Sequence, residues 1–219
     1  MSATEPAARI HDWQARFDRV LEQRLPPETH HPQQLHQAMR YSALAGGKRF
    51  RPVLVYATGQ ALGLGPEALD PVAAAIEIIH AYSLIHDDLP AMDDDDVRRG
   101  LPSCHAAYGV ATAILAGDAL LALAFQVLAQ QIWPAAVACR CCAEVATAAG
   151  ATALVGGQAD DLLLHLGAEH AGDRLLDVID RIVDDGVVVQ VQFVLLDHLA
   201  GRRVGTDIEA DDDRVRGLG

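Results

Sequence analysis

The stretch HDDLPAMDDDDVRRG from His86 to Gly100 packs six aspartates into ten positions and adds two arginines, directly after the apolar run YSLI. Carboxylates in this density beside guanidinium groups suit a phosphate-bearing substrate held through a hard cation. Oxygen ligands with a few carboxylates fit Mg²⁺, which keeps waters and usually shares its shell with substrate phosphates. Arg98 and Arg99 offer rigid, permanently charged forks to the same phosphates. A solvated acidic turn is the usual meaning of a charge run. Here it is the weaker account, because the run follows an apolar helix carrying a histidine and precedes a basic pair. A calcium loop is a further alternative, but the alternating ligands, mid-loop glycine and closing glutamate of an EF-hand are missing.

A second cluster, GGKRFRP from Gly46 to Pro52, also suits a phosphate. Gly46 and Gly47 would end one helix and Pro52 would open the next, crowding Lys48, Arg49 and Arg51 at a helix N-terminus. Lys48 is the only lysine in the chain, an ammonium kept where every other strong cation is arginine. Taken alone, the cluster reads equally well as ordinary cap-region cations.

These groups need elements to position them. On a helix starting near Asp70, Ile76, His80, Ser83 and Asp87 are three or four apart, so His80 and Asp87 are expected to point into one space. Pro90 should end that helix, and a turn through Ala91 and Met92 can bring Asp93 back beside Asp87. Apolar residues elsewhere recur at helical spacing, with no convincing alternating strand, and predict an all-α protein. Candidate helices cover residues 8–25, 32–45, 51–62, 70–89, a run from Ala111, 134–149 and the stretch around Gly157, with two weaker ones after Asp173. No repeat or linker divides residues 1–219, so one domain is expected.

Composition sets bounds on partners. A formal net charge of -13 argues against nucleic acid or an anionic membrane surface, since either needs a basic face. The N-terminus has no basic region followed by an apolar core, which points to a cytoplasmic protein. The run ATAILAGDALLALAFQVLA is broken by Gly117 and Asp118 and reads as a buried helix rather than a membrane span. Cys104, Cys139, Cys141 and Cys142 are expected as small core residues.

Together GGKRFRP, IHAYSLIHDDLPAMDDDDVRRG, ATAILAGDALLALAF and GGQADDL closely resemble the trans-isoprenyl diphosphate synthases, particularly the bacterial farnesyl diphosphate synthases. Four motifs in order over residues 17–162 are far more specific than any one. The resemblance implies a helical bundle around a deep cavity. It implies that Asp87, Asp88 and Asp93 bind Mg²⁺ and, through it, an allylic diphosphate that Arg98 also holds. Lys48, Arg51, His80 and Arg99 match the positions that hold isopentenyl diphosphate. Tyr82, five residues before Asp87, would stand about 7.5 Å deeper by helical rise and limit product length. The family's usual dimer implies a homodimer or a heteromer with a full-length synthase.

After Leu162 the match weakens, and residues 163–219 are expected to be a shortened, degenerate end of the domain. VQVQFVLLDHLAG from Val189 lines up with the family's second aspartate-rich motif, but Phe193 and Val194 stand where paired aspartates are expected, leaving Asp197. No lysine follows Lys48 to supply the one expected between the motifs. Loss of a magnesium site would slow ionisation by roughly 10²- to 10⁵-fold if each stabiliser is worth a few kcal/mol. Two expectations follow: a short-chain prenyltransferase working with its first motif, or a non-catalytic homologue, either a modulatory subunit of a full-length synthase or the product of a decaying gene.

Overall fold

The helical spacing is realised as eight helices in the computed structural model, which describes residues 4–166: α1 Thr4–Arg24, α2 Gln33–Ala43, α3 Phe50–Ala61, α4 Pro66–Asp87, α5 Cys104–Tyr108, α6 Val110–Gln131, α7 Ala135–Ala149 and α8 Leu154–Leu166. Between α4 and α5 a two-stranded antiparallel hairpin pairs β1, Val97–Arg98, with β2, Leu101–Pro102. The two weak helices expected after Asp173 lie outside the described residues.

The sequence of α4 explains its place. Apart from the buried Asp70 and Glu77, small and branched apolar residues run from Leu69 to Ile79 without an exposed member, and a helix apolar nearly all round belongs at the centre of a bundle. It begins at Pro66 rather than near Asp70, because proline's fixed φ suits the first helical position. Helix α6 lies along α4 through Ala113, Ala116, Gly117, Leu120 and Ala124, residues small enough for close approach. A Cβ on Gly117 would sit 2.2 Å from His86 Nε2. The expectation of a buried α6 therefore holds on one face only. Val110, Ile114 and Leu115 point outward at 45%, 40% and 56% exposure.

Among the described residues, three segments, Pro66–Asp87, Val110–Gln131 and Ala135–Leu163, are long and apolar enough to cross a membrane. The first is the core helix just described, with 78% of its most apolar window buried inside the bundle.

Polar groups fasten α1 to this core. Buried Asp70 accepts both arms of Arg16, at 2.9 and 2.7 Å, and the Tyr56 hydroxyl at 2.7 Å. Burial and the neighbouring carboxylate push the Tyr56 phenol well above its ordinary range. Trp13 stacks on Tyr56 with centroids 6.4 Å apart, so α1, α3 and α4 meet around one carboxylate.

Nearby, α3 and α4 touch at Gly59, where a Cβ would lie 2.2 Å from Leu69 Cδ1. Gly59→Val is expected to cost about 1–3 kcal/mol by overpacking and to lower the melting temperature by about 2–4 °C per kcal/mol. Thermal unfolding with an unchanged midpoint would contradict this packing.

Three local expectations are corrected. The hairpin went unread because two residues per strand show no alternation, although Arg99 (φ 53) and Gly100 (φ 78) form the left-handed pair of a tight hairpin turn. Short α5 follows it and ends at Gly109, whose φ is 85. Among the cysteines, Cys104 and Cys141 are buried, but Cys139 is exposed on the outer face of α7.

Candidate active site

The hairpin exists to present two arginines at the end of α4. Tyr41 on α2 donates to the Pro102 carbonyl at 2.8 Å, and the Ser103 N–H donates to the Asp96 carbonyl at 2.8 Å. Beneath it, the buried His105 ring lies 3.0 Å from Ser103 Oγ and 3.3 Å from Asp96 Oδ1. Held this way, Arg98 Nε donates to Asp88 Oδ1 and Oδ2 at 2.7 and 2.8 Å, while Arg99 donates to the Gly46 carbonyl. Gly47 permits that reach. Its φ is 134, and a Cβ there would lie 2.9 Å from Arg99 Nη1.

Two adjoining cavities result. An open one of about 600 Å³ is walled by Lys48, Arg51, His80 and Arg99, with Arg49 and Glu77 behind them. A narrow interior cleft of about 40 Å³ continues from His80 past Leu84 and Ile85 to Asp88 and Arg98. The four residues assigned to isopentenyl diphosphate thus stand around one opening, although Lys48 and the Arg51 side chain come from α3's start and His80 from mid-α4. Burial and then the charges of Arg51, Arg99, Arg98 and Arg49 drive the His80 pKa down to about 3. His80 is therefore a neutral imidazole at physiological pH, beside four cations.

Steps of about 100° per residue keep His80 and Asp87 within about 20° of one direction, as expected, both at the edge of the stripe of Glu77, Ala81, Leu84 and Asp88 that faces the cleft. Asp88 lies in the cleft and Asp87 outside it. The turn after Pro90 does return as expected: the Asp93 N–H donates to the Asp87 carbonyl at 2.9 Å. Burial, and then the charge of Asp93, raise the Asp87 carboxyl to about 6, with Arg98 opposing and Asp88 and Asp161 adding to the rise. Asp161 on α8 went unassigned at sequence level, although the DD pair of GGQADDL was its signal. Among the described residues no group of three or more metal-binding side chains is already gathered. Asp88, the third member of the aspartate set, is 2% exposed and turned into the Arg98 fork.

Tyr82 is 8% exposed, lies outside both cavities and meets the His86 ring edge-on at 5.1 Å. Burial, followed by Asp87 and Asp118, pushes its phenol up. Phe193, Val194 and Asp197 fall outside the described residues.

The polyprenyl synthetase family model matches residues 32–180, which include Lys48, Arg51, His80, Asp87, Asp88, Asp93, Arg98 and Arg99. The chain belongs to that family. Polyprenyl synthetase relatives include the farnesyl diphosphate synthase of Escherichia coli, 45% identical, with 78% of this chain and 70% of that protein covered. The farnesyl diphosphate synthase of Haemophilus influenzae is 60% identical over 115 residues, 52% of this chain and 39% of its own length. An FPP/GFPP synthase structure from Zymomonas mobilis superposes with TM-score 0.81 and 35% identity, over 89% of this chain and 72% of that one. A Legionella pneumophila geranyltransferase gives 0.76 and 38%, over 85% and 67%. The expected all-α fold and the family resemblance are both borne out. The chain spans less than half the length of several curated relatives it matches, as with the Haemophilus protein.

Proposed function

We propose that this polyprenyl synthetase condenses an allylic diphosphate, dimethylallyl or geranyl, with isopentenyl diphosphate to give geranyl or farnesyl diphosphate. The observation that carries the reading is the convergence of Lys48, Arg51, His80 and Arg99 on one cavity beside the acidic Asp87–Asp93 turn. One wall suits a free anion and the other suits an anion that arrives with a cation.

The donor set fits Mg²⁺ at Asp87 and Asp93: burial and then the charge of Asp93 raise the Asp87 carboxyl, and a bound cation relieves the repulsion between the two. Bound there, Mg²⁺ supplies positive charge to the diphosphate that leaves as the allylic C1–O bond breaks. Asp88 occupies Nε and Nη2 of Arg98, which leaves the Nη1 hydrogens for the same diphosphate. Across the cavity, Lys48, Arg51 and Arg99 hold the second diphosphate, and neutral His80 offers a ring N–H without adding charge. Leu84 and Ile85 line the cleft with apolar surface that keeps water from the allylic cation. The isopentenyl double bond attacks that cation, and the proton then lost goes to the departing diphosphate.

The outer face of α6 and the turn after it, with Ile114, Leu115 and Trp133 exposed, support assembly with a second copy or a full-length synthase. A related chain is named as the large subunit of a heterodimeric geranylgeranyl pyrophosphate synthase. Phe193 and Val194 favour a second reading, in which this chain modulates such a partner without turnover. The diphosphate substrates, too charged to cross a bilayer unaided, support a cytoplasmic location. The test is diphosphate release from dimethylallyl plus isopentenyl diphosphate, with and without a full-length synthase. Release by the chain alone supports the enzyme, and release changed only in the mixture supports the modulator.

Tyr82 carries the chain-length part of the proposal. With the ring removed in Tyr82→Ala, products are expected to lengthen beyond fifteen carbons on chromatography. Unchanged products would show that its contact with His86 is structural only.

A further inference from the structure

All three cations in GGKRFRP line the open cavity, but Arg49 is turned inward and only 6% exposed. Its backbone sits in the left-handed region at φ 49, directly before α3. That uncommon turn for a non-glycine residue directs the guanidinium into the bundle. There Nε donates to Asp18 Oδ1 at 3.0 Å, Nη1 to Glu77 Oε1 at 3.1 Å, and both Nη1 and Nη2 to the Ala43 carbonyl at 3.3 Å. The Phe17 ring lies 5.8 Å away. One side chain therefore joins α1, the end of α2, the start of α3 and α4. Glu77 is 4% exposed and stands one helical turn before His80.

We infer that the Arg49–Glu77 pair positions the isopentenyl diphosphate wall, fixing Lys48 and Arg51 at set distances from His80 and Arg99. The inference rests on reading this cavity as the isopentenyl diphosphate site. Lys48 precedes Arg49 and Arg51 follows two residues later, so any rotation of that turn moves both cations together. His80 shares a rigid helix with Glu77, so the pair links the two halves of the wall through the bundle interior. Neutralisation is a second consequence. Glu77 also borders the cavity, and without Arg49 its carboxylate would repel the anion the cavity collects. A guanidinium suits this place, because its one fork donates to three acceptors on three elements.

The test is calorimetry on the full chain with two probes: isopentenyl diphosphate alone, and geranyl diphosphate with Mg²⁺. Glu77→Ala is expected to weaken the first about tenfold and the second by less than about threefold, the scale expected when supporting residues let a site drift by a fraction of an ångström. Glu77→Gln keeps an acceptor for Nη1 and should stay within about threefold on both probes. Arg49→Lys keeps the charge but not the fork and should behave like Glu77→Ala. Melting temperatures accompany each titration. Equal losses on the two probes, or a lowered melting temperature with the ratio of affinities unchanged, would reduce the pair to scaffold and overturn the inference. Should Glu77→Ala fail to fold, Arg49→Lys decides by the same ratio. Wild-type chain that binds no isopentenyl diphosphate would overturn the reading of the cavity and this inference with it.

Discussion

Asp87→Asn is expected to remove Mg²⁺-dependent binding of an allylic diphosphate, lowering affinity by about 100-fold or more, because a hard cation loses a charged oxygen at a site with few. The effect should depend on pH with a definite sign. Half-buried beside Asp93, the Asp87 carboxyl titrates at about 6, above its ordinary value of 3.8. A cation needs it deprotonated, so wild-type affinity should fall as pH drops through about 6 and level off above. Stability moves in the opposite sense. The folded chain binds this proton more tightly than the unfolded one, so the contribution is most favourable below the unfolded value and is lost as pH rises through the folded one. Added Mg²⁺ should therefore raise the melting temperature at pH 8 and scarcely at pH 5. Asp95→Ala serves as the control, since Asp95 is exposed and should leave binding near wild type. Calorimetry showing equal magnesium-dependent binding by wild type and Asp87→Asn would remove Asp87 from the proposed cation site.

Much of this site was legible because its residues are clustered in sequence. The aspartate run, the arginine pair and GGKRFRP are each short, and helix periodicity alone put His80 on the cavity side of α4. What could not be read was which direction adjoining groups take at an element's end. Asp88 caps α4, where the helical angle still holds but the partner is set by a hairpin ten residues on. The same limit applies to Arg49. Its neighbours in sequence are cavity cations, and only the left-handed backbone before α3 turns it inward toward Glu77 and Asp18. Periodicity also marks α6 as apolar without saying that one face would be left outside the bundle. The stretch is apolar nearly all round, so sequence carries no contrast between the face that meets α4 and the face that does not.

Arg98 offers the sharpest separation between holding the fold and holding a ligand. Its Nε lies 2.7 and 2.8 Å from the two oxygens of Asp88, whose side chain is almost wholly buried while that of Arg98 remains about one-third exposed. Arg98→Leu strands that carboxylate, and removing one partner of a buried pair costs about 3–5 kcal/mol, here lowered to about 2–4 by the arginine's exposure. It also withdraws the Nη1 hydrogens left for the allylic diphosphate, so affinity should fall by about 100-fold, the scale of a charge-assisted hydrogen bond. The double variant Arg98→Leu/Asp88→Leu tells these effects apart. With both charges gone and apolar volume in their place, most of the lost stability should return, because an apolar pair often replaces a buried ion pair without net cost. Binding should not return, since no guanidinium remains to meet the phosphate. A double variant that regained both would mean Asp88 had been opposing the ligand rather than aiming Arg98 at it. A single variant that melted like wild type would mean the pair contributes nothing to holding the hairpin on α4.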